Sequence, residues 1–227
     1  MSLLVSLAAG VVFGLALAAP PGPMNAVIAE ESAVHGLTAG VRAGLGAMTA
    51  DAVFLVATLL GAVEAVERVP VLRAAMLAVG GVLMLYFAYG AARSAGETSG
   101  FGDGGSTDGE AGSRGFRRAF VLALTNPYQL LFWLTVGVAL LAPGRMDLLA
   151  ETPLAAAGAL VVETGSPALV VGLFGGIGLW ITGFPAALVA AGRRVDRLAP
   201  IVAGGSALVL LGFGAAFLVD AARLLGA

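Results

Sequence analysis

The chain has 227 residues, of which 59% are hydrophobic and 11% are charged, and its mean hydropathy is +0.98. This composition is too apolar for a water-soluble domain of this length and indicates a membrane protein. The net charge of −2 comes without any basic tract, so no nucleic acid is expected as a partner. With no cysteine and one histidine, the sequence excludes disulfides, thiolate metal sites and paired-histidine metal sites. We therefore expect no metal and no cofactor.

Windows of about 20 apolar residues predict membrane-spanning helices. Six such windows make this an all-α, polytopic membrane protein: 3–29, 39–63, 70–93, 116–142, 166–191 and 200–223. No basic region precedes the first window, so we interpret it as a span and not as a cleaved signal peptide. Prolines interrupt the first window at 20–23 and the fourth window at 126–127.

The segment 94–115 is rich in Gly, Ser and Asp and predicts a disordered linker between two halves, 1–93 and 116–227. The apolar stretch 153–162 is too short to span a bilayer and predicts an interfacial or re-entrant segment. The positive-inside rule places both termini outside and the linker in the cytoplasm, because eight of the twelve arginines then lie on the cytoplasmic side.

The two halves resemble each other in where their predicted helices break, begin and end. Each has three spans, each first span is broken at a proline, and each third span begins at a proline and ends in Ala-Ala-Arg. An odd number of spans per half would turn the second half upside down relative to the first. We interpret this as two inverted three-helix repeats with broken first helices; chance similarity between apolar segments is the alternative.

The break in the first span, at Pro21, Gly22 and Pro23, frees carbonyls before it and amides at the start of a new half-helix from about Met24. Amides at the positive end of a helix dipole suit an anionic group such as a substrate carboxylate. Asn25 adds a side-chain amide beside them. A simple kink is the alternative.

Asp51 lies inside the second apolar window. A carboxylate at the centre of a membrane helix costs about 2.5 to 3.5 kcal/mol on insertion scales, so its presence indicates a functional site. It suits a substrate ammonium group, and it suits the coupling proton because burial disfavours the charged form. Gly46, in the glycine-rich turn before it, permits close helix packing or substrate approach. The structural alternative is pairing with Arg42 or bonding to nearby threonines.

Asn126 and Pro127 form the second predicted break, and they are followed by the polar side chains of Tyr128 and Gln129. These four residues complete the predicted substrate site across the two halves. A proline kink without a binding role is the alternative.

Two further groups of residues are interpreted as having no role in substrate binding. Glu30 and Glu31 are expected as solvated charges at the membrane edge, with a gating role as the alternative. Trp133, Trp180 and Tyr86 are expected as lipid or interface contacts, since aromatic side chains collect at membrane boundaries.

PGPMN at 21–25, GLGAMTAD at 44–51 and TNP at 125–127 together resemble the lysine-exporter (LysE/RhtB) family of amino-acid translocators. The resemblance implies six helices in two inverted repeats, homodimers, and export of amino acids or related metabolites driven by a proton or sodium gradient. The positions that match are Pro21, Gly22, Pro23, Asn25, Gly46, Asp51, Asn126 and Pro127. Tyr128 departs from the lysine that many relatives have there, which weakens the prediction of a standard amino-acid substrate.

We therefore predict a secondary transporter in the cell membrane, surrounded by lipid, that exports amino acids or related small polar metabolites, with Asp51 as the coupling residue. It is not expected to be an enzyme. A metal-ion transporter of the same superfamily is one alternative. A membrane-embedded enzyme is the other, although such enzymes need a Ser-His pair, an Asp pair or a histidine cluster.

Overall fold

The first span is broken where its prolines predict. The chain bends by 83° between α1 (Leu3–Ala18) and α2 (Pro23–His35). Proline cannot donate to the preceding turn, but it is well placed in the first turn of a new helix, where Pro23 stands. The computed structural model describes residues 3–61, 70–97, 108–147, 161–194 and 198–226.

The remaining described residues are also mostly helical. Long helices follow as α3 (Leu37–Leu59), α4 (Pro70–Glu97), α5 (Asp108–Leu124), α8 (Pro167–Gly192) and α9 (Leu198–Gly226). After a break at Asn126, the chain continues through α6 (Pro127–Phe132), a π-helical turn (Trp133–Gly137) and α7 (Val138–Leu141). A short hairpin pairs β1 (Gly144–Asp147) antiparallel with β2 (Val161–Thr164), with Gly144 opposite Thr164.

Within the described part of the chain, α3, α8, α9 and residues 74–93 of α4 are each long and apolar enough to cross a membrane. The bent pair α1 and α2 adds a fifth candidate if it is counted as one span. The predicted fourth span corresponds to α5, α6, the π-helical turn and α7. The prediction of a helical, polytopic membrane protein is confirmed, whereas its six-helix inverted-repeat arrangement stays a prediction.

Two predicted connecting segments are described only in part. Because α4 extends to Glu97 and α5 begins at Asp108, helix covers both ends of the predicted linker 94–115. The centre of that linker, 98–107, lies outside the described residues. The stretch 153–162 also lies outside them, apart from its last two residues, which begin β2.

The half-helix α2 is the centre of the packing. Every residue from position 26 to 34 is buried, and α2 contacts α3, α5, α8 and α9. Around it, α1 packs along α8, α3 packs along α5, and α4 packs along α9. Gly36, with a φ of 86°, reverses the chain from α2 into α3 in a backbone conformation that suits glycine.

Glycines bring α1 and α8 close together. A Cβ on Gly10, Gly14, Gly172 or Gly176 would overlap backbone atoms of the facing helix. These four glycines form one pair at i and i+4 on each helix, the small-residue spacing that lets membrane helices approach closely.

We expect Gly172→Ala to lower the stability of the protein in detergent by about 1 to 3 kcal/mol, because the added methyl group overpacks the contact with the carbonyl of Leu7. Thermal unfolding followed by circular dichroism measures this. Gly178→Ala is the matched control on the same helix, since a Cβ there meets nothing within 4 Å. Equal melting temperatures for the two variants would contradict the close α1–α8 contact.

Candidate functional site

A cavity of about 290 Å³ lies at the break between α1 and α2. Its wall combines the broken ends of these helices with side chains from α3, α6, α8 and α9 and from the second break. The polar and backbone groups that line it are Pro20, Pro21, Gly22, Pro23, Asn25, Asp51, Asn126, Gln129 and Trp180. The cavity therefore combines both predicted breaks and the buried carboxylate in one site.

Asn25 satisfies the backbone of the first break. Its Nδ2 donates to the carbonyl of Ala18 at 2.7 Å and to the carbonyl of Pro20 at 2.8 Å. Its Oδ1 accepts from Nε1 of Trp180 on α8 at 2.9 Å. Carbonyls freed by a break at membrane depth need such partners, because unsatisfied groups there cost several kcal/mol. The side-chain amide of Asn25 therefore stabilises the bend in this structure.

Asp51 is buried in α3, with 4% of its surface exposed, and it lines the cavity. Its Oδ1 accepts from Nε2 of Gln129 at 2.7 Å and from Nε1 of Trp133 at 2.9 Å. The two donors stand four residues apart, one in α6 and the other at the start of the π-helical turn, so they lie on one face. Two donors on one oxygen favour the charged carboxylate and fix its orientation.

The N-terminus of α2 faces the same cavity. Gly22, the N-cap residue, has an extended backbone, and no side chain of the described residues caps this end of the helix. A Cβ on Gly22 would meet nothing within 4 Å, so the space in front of the helix end is open. Helix N-termini attract anions because their amides point outward and the helix dipole is positive there.

The structure brings most of the predicted site residues together. Seven of them line the one cavity: Pro21, Gly22, Pro23, Asn25, Asp51, Asn126 and Gln129. Gly46 lies outside that lining and packs against α5, where a Cβ would overlap the carbonyl oxygen of Phe116. Pro127 and Tyr128 begin α6, and their side chains are not among those that the structure describes.

The interpretation of Trp133 as a lipid or interface contact is wrong, whereas that of Trp180, which is partly exposed, stays a prediction. Trp133 is 2% exposed and donates to Asp51, and Trp180 donates to Asn25. Tyr86, in contrast, is 69% exposed, as expected for an outward-facing aromatic residue. An indole N–H in an apolar helix needs an acceptor. In the sequence, the signal for these tryptophan bonds was the presence of two possible acceptors, Asn25 and Asp51, inside apolar windows.

The expectation that Glu30 and Glu31 are solvated is also wrong. Both are 2% exposed, and both accept hydrogen bonds from the guanidinium of Arg118 on α5. Their local sequence resembles a helix end at the membrane edge. The partner that makes burial possible is 87 and 88 residues away in sequence, so no local pattern points to it.

A bundle of apolar helices with two broken segments around a small polar cavity indicates a multi-pass membrane protein, and such breaks are typical of transporter sites. The chain belongs to the LysE type translocator family, whose model matches residues 15–221. The predicted family, whose members are transporters and not enzymes, is therefore confirmed.

Two relatives are similar over part of the chain. A Bacillus subtilis protein, named as a putative amino acid efflux protein, is 29% identical over 58% of this chain and 62% of its own length. An uncharacterised membrane protein of Pseudomonas aeruginosa is 28% identical over 60% of this chain and 62% of its own. The match thus spans less than two thirds of either relative. No solved structure matches the chain significantly.

We expect Asn25→Ala to destabilise the protein by about 1 to 3 kcal/mol, because it leaves carbonyls of the break and the Trp180 indole without a buried partner. Unfolding in detergent, followed by tryptophan fluorescence, measures the loss. Thr182→Val is the control, since its exposed hydroxyl bonds to carbonyls of its own helix, α8. A loss no larger than that of the control would contradict the stabilising role of Asn25.

Proposed function

We propose that this protein is a secondary active transporter that exports amino acids or related small polar metabolites across the cytoplasmic membrane. The observation that carries the proposal is the cavity at the first break, where a helix N-terminus and one buried carboxylate line the same space. Membership of a translocator family and the name of the Bacillus subtilis relative support it.

The two charged features of the cavity are complementary to a zwitterion. In our proposal the substrate carboxylate binds at the N-terminus of α2, where no side chain competes for the position. The substrate ammonium group binds Asp51, whose Oδ1 is already oriented by Gln129 and Trp133. Asn126, at the second break, and Gln129 supply further polar contacts.

The rest of the wall favours a neutral substrate with an apolar side chain. Asp51 is the one charged side chain among the described residues that line this cavity. A second positive charge, as in lysine or arginine, would be buried there without a partner, which costs several kcal/mol. Apolar side chains make up much of the remaining surface: Leu17, Ile28, Met48, Phe132, Ile177, Ile181, Phe213 and Phe217.

An inverted-repeat arrangement is part of the proposal. Suppose that α1–α2, α3 and α4 correspond to α5–α7, α8 and α9. The contact between α1 and α8 then corresponds to the contact between α5 and α3, and the contact between α4 and α9 corresponds to itself. The Trp180–Asn25 bond then corresponds to the bonds from Gln129 and Trp133 to Asp51. Each links the broken span of one half to the second span of the other, which supports a pseudo-two-fold relation.

The proposals on coupling and assembly are based on membership of the family. We propose proton or sodium coupling, exchange of a proton for the substrate ammonium at Asp51, a homodimer, and termini outside the cell. Among the described residues, no three His, Cys, Asp or Glu side chains are grouped as a metal site requires. The metal-ion alternative therefore has no observation in its favour.

We expect the purified protein in proteoliposomes to accumulate one or more amino acids from a labelled pool by counterflow. Asp51→Asn should lower the initial rate by about ten- to a hundredfold, because it removes a charge-assisted bond to the ammonium group. Asp220→Asn, a change at an exposed pair with Arg223, is the matched control and should retain the rate.

Two results would contradict this. If the natural protein accumulates no amino acid of the pool, the substrate class is wrong. If Asp51→Asn transports as fast as Asp220→Asn, the cavity residue is wrong even though transport is real. Monodisperse elution in detergent establishes that each variant is folded.

We also expect leucine and other neutral apolar amino acids to inhibit counterflow at least about tenfold more strongly than lysine, because the lysine side-chain ammonium has no buried partner in the cavity. The inhibition constants of unlabelled amino acids against one labelled substrate measure this selectivity. Stronger inhibition by lysine or arginine would reject the neutral-substrate proposal.

A further inference from the structure

A second cavity, of about 650 Å³, lies at the opposite end of α2 from the substrate cavity. It is lined by the C-terminal part of α2 together with α4 and α5. Since α2 has 13 residues, the two cavities are separated by one half-helix of about 20 Å. The translocator mechanism proposed above assigns no role to this second cavity.

A buried ionic cluster forms part of its wall. Arg118 on α5 donates from Nη2 to Oε2 of Glu30 at 2.7 Å and from Nη1 to Oε1 of Glu31 at 2.9 Å. Its guanidinium also lies over the ring of Phe87 on α4, 4.8 Å from the ring centroid. Gly115 allows the close approach of α5, since a Cβ there would meet the carboxylate of Glu31 at 3.0 Å.

His35, one turn beyond Glu31, extends the cluster. Its Nδ1 lies 3.1 Å from Oε2 of Glu31, and neither atom has another hydrogen-bond partner among the described residues. A carboxylate oxygen cannot donate unless it is protonated, and an imidazole nitrogen either donates or accepts. A neutral imidazole satisfies the pair in its Nδ1–H tautomer, and a doubly protonated imidazole satisfies it with its second proton on Nε2.

The charges of the cluster favour the doubly protonated state. Two carboxylates, each 2% exposed, share the single guanidinium of Arg118. An uncompensated charge at such a position is costly, and a buried site usually relieves it by taking up a proton. One added proton on the Glu31–His35 pair brings the cluster to neutrality.

We propose that Glu30, Glu31, His35 and Arg118 form a proton-binding site, and that the additional proton taken up by the Glu31–His35 pair is a coupling ion of the transporter. This inference rests on the proposed transport function and adds a second proton site to the one considered at Asp51. The ligand is a proton exchanged with water in the second cavity.

Further charged and titratable side chains line the same cavity. Arg93, with Tyr86 and Tyr89, comes from α4, and Arg114 and Arg117 come from α5. All five side chains are exposed, so their effect on the buried pair is weakened by water and salt. Arg118, in contrast, contacts both carboxylates directly.

The position of the cluster on α2 explains how proton binding would affect the substrate site. When His35 is charged, it competes with Arg118 for the carboxylate of Glu31 and weakens the ion pair that joins α2 to α5. The other end of the same half-helix forms the wall of the substrate cavity. Proton binding would therefore bias the packing of α2 and, through it, the site, which is the differential contact that coupling requires.

The test uses proteoliposomes loaded with the amino acid of the labelled pool that gives the fastest counterflow, with an imposed pH gradient and no sodium. The natural protein should accumulate this amino acid when the gradient is imposed. Glu31→Gln and His35→Gln should lose the gradient-driven accumulation, and any exchange that persists should no longer respond to pH. Glu163→Gln, a change at a partly exposed carboxylate in β2, is the matched control and should keep the response.

The outcomes separate this inference from the proposed function. Absence of counterflow in the natural protein would reject amino-acid transport itself. Counterflow that a pH gradient does not drive, or Glu31→Gln accumulating substrate like Glu163→Gln, would overturn the proton site while leaving transport intact.

A second measurement covers variants that lose all transport. Because His35 is the sole histidine, histidine labelled with ¹⁵N gives one pair of ring signals without assignment work. We expect the ring signals of the natural protein to change from those of a doubly protonated imidazole to those of the neutral Nδ1–H tautomer over the pH range in which the transport response is lost. In Glu31→Gln that change should occur over a different range. Identical titrations in the two proteins would overturn the proposal.

Discussion

The bend between α1 and α2 determines the rest of the architecture. Three prolines within four residues make a continuous helix impossible, and the 83° bend leaves backbone carbonyls without helical partners. In an apolar bundle such groups would be costly, but a single side chain, Asn25, bonds two of them. Asn25 therefore satisfies the backbone of the bend. The bend also produces a buried half-helix, each end of which lines a cavity.

Two tryptophans then connect the breaks to the surrounding helices. Trp180 bonds Asn25 from α8, and Trp133 bonds Asp51 from the π-helical turn. Each indole contributes a large apolar surface and one donor, a combination that can join a polar residue to a helix without adding charge. The cavity thus has its polar groups held by bonds between distant segments, which favours one defined geometry for Asn25 and Asp51.

The local features of this structure were predictable, and the long-range ones were not. Proline acts on its own turn, so the break before α2 and the break before α6 follow directly from sequence. A carboxylate inside an apolar run is equally visible, and Asp51 was found on that basis.

The partners could not be found in the same way, since Trp180 is 155 residues from Asn25 and Trp133 is 82 residues from Asp51. The predicted end of the first span near residue 29 illustrates the same limit. The polar residues that follow resemble a helix end, but α2 continues to His35 because Arg118 compensates the buried glutamates.

The dipole of α2 relates the two proposed sites to each other. Its positive end faces the substrate cavity, where a carboxylate is proposed to bind, and its negative end is at His35, where a proton is proposed to bind. Each ligand has the charge that its end of the helix favours. A helix terminus contributes about 0.3 to 2 kcal/mol to such binding, which is less than the cost of leaving a buried charge unpaired. The dipole therefore makes a small contribution to both sites, while Asp51 and Arg118 supply the larger electrostatic contributions. Because both sites lie at the ends of one helix, a change of charge at either end acts on the same element.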